Sequence, residues 1–315
     1  MRIKAFLLQF SRVLALLALC VVITALNPNF LKSSNLINVV RQAAPQIIMS
    51  MGMTIVLLTG SIDLSVGSVM TLASVVTGYF LTQAHWPWPI ALVIGLGVGA
   101  ASGVISGLLV AKVKLPSAVA TYGMLWIDRG LAFAIMGPAP FFGFPDGYRY
   151  IGRGIILEIP VPIWIMAAIV LAVFLLLKYT TLGRSVYAVG ANPLAARASG
   201  IRVDRTLMLS FILSGILAAL AGQVLCARMN AVDQSVGEPF LLPAIASPVM
   251  GGTSMTGGVG GVGGTIVGSL IMVVLANGMN LLSISSLWQQ FAVGLVVVLA
   301  VWLDVSLKKS AGKQA

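Results

Sequence analysis

The sequence predicts an all-α integral membrane protein of about ten transmembrane helices, some of them interrupted, with both termini cytoplasmic. Three observations carry that expectation. The first is composition. Of the 315 residues, 59% are hydrophobic and only 9% charged, and mean hydropathy is +1.04, whereas a soluble domain carries roughly 25% charged residues. The second is that apolar runs recur along the whole chain, each close to the roughly 20 residues a helix needs to cross the hydrocarbon layer. Such unbroken runs exclude the alternating pattern of a β-barrel, and helices are then the structure that satisfies every backbone group internally. The third is charge placement, which alternates between the two ends of the expected spans.

Hydrophobic runs and their Gly, Pro and charge punctuation place spans near 13–27, 43–59, 66–82, 88–111, 117–136, 161–178, 206–226, 240–256, 262–281 and 288–304. With the N-terminus inside, 13 of the 19 Lys and Arg residues fall on inside segments and five outside, while Arg129 falls within a span. The basic start followed by an apolar run is read as a retained first helix, since no small-x-small cleavage site follows. The eighth segment, "PFLLPAIASPVMGG", is short and carries Pro243 and Pro248. As a re-entrant loop it would put the basic C-terminus outside, so parity favours ten crossings. No stretch is long and polar enough for a separate soluble domain, and residues 1–315 are expected to form a single transmembrane domain.

The same composition excludes several function classes. The net charge of +11 is spread over many membrane segments and marks topology, so no nucleic-acid partner is expected. Cys20 and Cys226 lie in apolar surroundings, which indicates neither a disulfide framework nor a metal cluster. The one histidine, His85, sits in the polar tip "QAHWPWP", so no metal site or histidine-based catalysis is expected.

Polar residues inside the apolar runs are the candidates for function. In "LLTGSIDLSVGS", Gly60 breaks the second helix, and Asp63 or Ser65 can cap the next by accepting hydrogen bonds from its free N–H groups. A cap is the leading reading, with a ligand role beside it, because interrupted helices at membrane depth line cavities or are buried in protein. Asp128 and Arg129 sit inside the fifth run. They are read either as facing the bundle interior or as local compensation at a helix break near Gly130. Asn277 and Asn280, three apart on the ninth span, are expected to share an inward face. Gly99, Gly103 and Gly107, four apart, predict close helix packing. "GGTSMTGGVGGVGGT" lacks the GK[ST] ending of a phosphate loop, so any ATP chemistry belongs to another chain. In the inside segment 179–205, Asn192 can cap a helix that starts at Pro193, continues through an Ala-rich run and ends at Gly200, a surface that a partner can grip.

Together "LLTGSIDLSVGS", "LGRSVYAVGANPLAARASGI", "MGGTSMTGGVGG" and "NGMNLL" resemble the membrane subunit of ABC importers of the ribose, xylose and allose type, within the branched-chain amino acid and monosaccharide permease family, from about residue 35 to 304. The resemblance implies a multi-pass permease of the bacterial cytoplasmic (inner) membrane that imports a monosaccharide or similar small polyol and is not itself an enzyme. The implied partners are a second permease copy, an ATPase subunit holding ATP and magnesium, and an extracytoplasmic sugar-binding protein. It implies that Gly190, Asn192, Pro193, Ala195, Ala196, Arg197 and Gly200 couple to the ATPase. Leu194 stands where the EAA-x-x-x-G element of such permeases has Glu. For the pathway the candidates are Asp63, Ser65, Arg129, Asn277 and Asn280. Ser61, Ser106, Pro243 and Pro248 depart from the family pattern. The alternative class, an ion- or proton-coupled secondary transporter, would need Asp63, Asp128 and Arg129 as its relay.

Overall fold

A computed structural model describes residues 2–299 apart from 286, 290 and 297, with side chains from Arg12 onward. The helices are α1 (Arg2–Leu26), α2 (Ser33–Leu58), α3 (Val66–Thr82), α4 (Trp88–Ala111), α5 (Ser117–Met136), α6 (Asp146–Arg153), α7 (Val161–Tyr179), α8 (Thr181–Ala191), α9 (Pro193–Ala198), α10 (Val203–Met229), α11 (Glu238–Met250) and α12 (Val262–Leu281). Two-residue strands β1 (Phe141–Phe142) and β4 (Ala231–Val232) pair, as do β2 (Ile155–Ile156) and β3 (Ile159–Pro160). The expected all-α class holds, and nine of the expected segments coincide with helices. The last, 288–304, lies partly outside the described residues; residues 287–289 and 291–296 are helical.

The count of ten spans is not reproduced by length and composition. Among the described residues four helices, α4, α7, α10 and α12, are both long and apolar enough to cross a membrane. At 17 residues α3 is just short. The 13-residue α11 reaches only about 20 Å at 1.5 Å per residue, against a hydrocarbon core of about 30 Å. Its helix ends at Met250, so the last part of the expected eighth span, 251–256, is irregular backbone. Helices α2 and α5 have the length, 26 and 20 residues, but carry Gln42, Gln46, Asp128 and Arg129 inside them. Gly130 is no break, because α5 runs through it to Met136.

Helix α2 is the shaft of the bundle, buried without interruption from Ala43 to Leu58. A helix covered on all sides needs apolar residues all round, and Ile47, Ile48, Met49, Met51, Met53 and Ile55 supply them. Against it packs α10, which also lies along α4. The Gly99, Gly103, Gly107 face of α4 makes that second contact, as its spacing predicts. A methyl on Gly99 would strike the carbonyl of Gly215, and one on Gly107 would lie 2.9 Å from the Met208 Cα. Close approach of this kind needs small residues on the contact line.

Polar contacts sort into two ends. At one, Arg12 Nη1 donates to the Gly251 carbonyl (2.7 Å), Lys114 pairs with Asp204 (2.6 Å), and the loop after α2 meets the start of α5. At the other, Asn27 donates to the Leu281 carbonyl (2.9 Å) and Asn230 Oδ1 accepts from Phe144 N (2.8 Å). The segment between α5 and α7 folds into α6 and short strands at this second end, detail that its mixed composition did not announce.

Candidate functional site

The break between α2 and α3 is held by side chains from two other helices. Asp63 is 2% exposed. Its Oδ1 accepts from Ser65 N (3.0 Å) and Ser65 Oγ (2.6 Å), and its Oδ2 accepts from Ser214 Oγ of α10 (3.0 Å). Of the two expected caps, Asp63 clamps the turn just before α3, whereas the Ser65 hydroxyl donates to Asp63 instead of capping the helix. From α5, Ser117 Oγ accepts from Ile62 N (3.1 Å) and Thr121 Oγ1 accepts from Leu64 N (3.0 Å). The backbone groups that a broken helix exposes are thereby satisfied inside the protein, as membrane depth requires.

Beside this break lies a cavity of about 990 Å³, walled by α2, α3, α5, α10, α11 and α12 together with Gln289 and Val293 of the helical stretch that follows. Gln42 and Gln46 face it from α2, Ser68 and Thr71 from α3, Arg129 from α5, Gln234 from the loop before α11, and Glu238 from the first turn of α11. Leu125, Phe240 and Met272 supply apolar wall. Arg129 forms an ion pair with Glu238, and its guanidinium carbon lies 5.5 Å from the Trp126 ring centroid and 5.6 Å from that of Phe133. Amides and hydroxyls both donate and accept hydrogen bonds, so these side chains suit the hydroxyls of a solute, and Arg228 of α10 adds a further donor to the wall. No group of three His, Cys, Asp or Glu that could hold a metal ion occurs among the described residues.

Of the expected pathway residues, Arg129 lines this cavity. Asp63 and Ser65 lie just before Gly67 and Ser68, which line it, but are not themselves in the wall. Asp128 points the other way and accepts from Ser102 Oγ of α4 (2.7 Å). Asn277 and Asn280 do not share an inward face. Asn277 exchanges amide hydrogen bonds with Asn35 (3.1 and 3.0 Å), while Asn280 is exposed and accepts from Gln289 Nε2 (2.7 Å). Among the polar lining residues, sequence reasoning passed over Gln42, Gln46, Ser68, Thr71, Arg228, Gln234, Glu238 and Gln289 as site residues. A signal existed for two of them: glutamines four apart on an apolar helix share a face, and that face cannot look at lipid.

The second candidate element is the segment 179–205, which holds two helices where one was expected. Asn192 Oδ1 accepts from Leu194 N and Ala195 N (3.0 Å each), capping α9 at Pro193 as expected. Gly200 ends it at φ +82°, a conformation that favours glycine. Arg197 reaches Asp204 (3.3 Å), which also holds Lys114. Ala196 differs from expectation. It is 4% exposed and packs inward against Val189 and Val203, whereas Leu194 is 80% exposed. Around α9, Pro193, Leu194, Ala195, Arg197 and Ala198 are exposed, and Ala196 is the internal seat.

Helix α8 rests on the floor of the bundle. A methyl on Gly190 would overlap the Leu58 carbonyl and the Gly258 amide. Gly258 N donates to Leu58 O (3.0 Å), and Tyr187 Oη donates to Gly260 O (3.0 Å). Gly257, at φ +88°, lies against Gly60 N and the Gly190 Cα. Three glycine-rich stretches thus meet backbone to backbone: the α2–α3 break, the end of α8 and the α11–α12 loop.

A helical membrane bundle with a largely apolar cavity that carries a few polar side chains, tied at one end to a helical hook, has the build of a solute-transport permease. The chain belongs to the family described as branched-chain amino acid transport system / permease component, whose model matches residues 35–301. It is 38% identical to the ribose import permease protein of Escherichia coli K12 over 96% of this chain and 95% of that one. With the Bacillus subtilis 168 ribose import permease protein it shares 40% identity, covering 95% and 92% of the two chains. Identity to the Escherichia coli K12 xylose transport system permease protein is 30%, covering 89% and 87%. No solved structure matches the chain significantly. The chain is a permease subunit of an ABC importer, a class of subunit without a catalytic nucleotide-binding site of its own.

Proposed function

We propose that this chain is one transmembrane permease domain that carries a monosaccharide, of the ribose type or a similar small polyol, across the bacterial cytoplasmic membrane. A separate ATPase subunit, holding ATP and magnesium, energises it; an extracytoplasmic sugar-binding protein delivers the solute; and a second permease copy completes the assembly. The cavity lined by Gln42, Gln46, Ser68, Thr71 and Gln234 is the observation that carries the reading. Hydroxyl-binding side chains at membrane depth are costly unless they face a wet path, and a sugar presents the matching donors and acceptors. The ribose and xylose permeases to which the chain is similar favour a pentose.

Ten crossings fit the clustering of polar contacts at two ends, with α11 as a short crossing inside the bundle. They place α8, α9 and the α11–α12 loop in the cytoplasm with both termini. Gly190, Asn192, Pro193, Ala195, Arg197 and Gly200 then shape the ATPase hook, Leu194 supplies its apolar contact, and Ala196 seats it. Asp63 and Ser65 hold the interrupted helix beside the path, Arg129 faces it, and Asn277 and Asn280 brace α12 at its outer end.

The test is thiol accessibility in the cavity. In a background of Cys20→Ser and Cys226→Ser, with the partner subunits present, a charged methanethiosulfonate should modify Ser68→Cys and block uptake of radiolabelled ribose. Excess ribose should slow the modification. Modification that leaves uptake intact would place the path elsewhere.

A further inference from the structure

The strongest unassigned feature is the ion pair across the cavity. Helices α5 and α11 both lean on α3, and each contributes one charged side chain to the cavity wall, Arg129 and Glu238. The other ion pairs among the described residues lie outside the cavity: Lys114 and Arg197 with Asp204, and Arg149 with Asp146. Only Arg129–Glu238 ties together two helices that wall it. Both partners are well placed to meet. Arg129 is held over the rings of Trp126 and Phe133 on its own helix, and Glu238 occupies the first turn of α11, where the helix dipole favours an anion.

The opposite end of α11 leads to the coupling contact. After Met250 the chain enters the glycine-rich loop in which Gly258 bonds Leu58 and Gly260 accepts from Tyr187 of α8. A 13-residue rod therefore connects the hook to the ion pair. We propose that Arg129–Glu238 is a latch on the solute path, closed in this structure and released when α8 shifts the Gly251–Gly261 loop and moves α11 with it. The proposal rests on the reading of the cavity as the path. Both side chains are partly solvated, which suits a latch: a surface-like pair is weak enough to part in each cycle, while a dry one would strand two charges. Glycines at the joint let backbones slide where side chains would interlock. The latch differs between the two states by one closed ion pair, the differential interaction that a conformational switch requires.

The test uses the complete transporter with Arg129→Cys and Glu238→Cys in the Cys20→Ser, Cys226→Ser background. A short, reducible bis-methanethiosulfonate should link the pair, lower radiolabelled ribose uptake at least tenfold, and release it again with dithiothreitol. Linking should also suppress ATP hydrolysis by the reconstituted complex severalfold, a readout that needs no knowledge of the solute. Wild-type complex that takes up no ribose would refute the sugar assignment alone, and the hydrolysis readout would still decide the latch. A linked transporter that hydrolyses and transports at the unlinked rate overturns the latch, as does failure of the linker to join the two sites. Should the cysteine variant be inactive before linking, charge reversal decides: Arg129→Glu should be impaired and Arg129→Glu with Glu238→Arg should recover, and absence of recovery overturns the proposal.

Discussion

Gly190 is the residue on which the docking of α8 against the end of α2 turns. Its missing side chain is what lets α8 lie on the Leu58 carbonyl, and a methyl there must push two backbones apart. Overpacking of this kind costs about 1–3 kcal/mol. Gly190→Ala is therefore expected to lower ribose uptake severalfold and to reduce the thermal stability of the purified permease. Gly123→Ala, on α5 with nothing within 4 Å of the added methyl, should leave both unchanged, and equal effects of the two substitutions would contradict the docking of α8. The two glycines look alike in the sequence. What distinguishes them is that Gly190 meets Leu58 and Gly258, both distant along the chain, whereas Gly123 meets nothing. Asp63 was more legible: one acidic residue between a glycine and two serines, flanked by apolar runs, has few roles besides holding a helix break. Its third hydrogen bond, from Ser214, was not legible, because no local pattern names a partner on another helix.

At the scale of elements, periodicity found the helices and misjudged what some of them present. Asn192, Pro193 and Gly200 mark the ends of α9 by local chemistry alone, so its bounds could be read directly. Which side of a six-residue helix faces inward depends on tertiary packing, and the structure turns Ala196 in and Leu194 out. Two substitutions separate these roles. Leu194→Asp should remove an exposed apolar contact, so that the ATPase no longer co-purifies while the permease inserts and melts normally. Ala196→Glu forces a carboxylate into the seat formed by Val189 and Val203, and should lower the permease level itself. Normal ATPase retention in Leu194→Asp would remove Leu194 from the docking surface. Asn277 and Asn280 show the same limit, since their three-residue spacing is shared while their neighbours, Asn35 and Gln289, are not.

At the scale of the molecule, apolarity and site-building pull against each other. Helices α4, α7, α10 and α12 read clearly as spans because they are uniformly apolar. Helices α2 and α5 were expected as spans too, but Gln42, Gln46 and Arg129 dilute their apolar surface, and those residues line the cavity. The class of protein was legible from composition and ordered motifs; the cavity was not, because its wall is assembled from residues scattered between Gln42 and Val293. The central claim, that ATP hydrolysed by a partner drives a sugar through this chain, is tested most directly in proteoliposomes holding the permease, its ATPase and its binding protein. Radiolabelled ribose should accumulate when ATP is supplied to the ATPase side, fail to accumulate with a hydrolysis-dead ATPase, and be indifferent to a protonophore. Accumulation driven by a proton gradient without ATP, and abolished by the protonophore, would contradict the account.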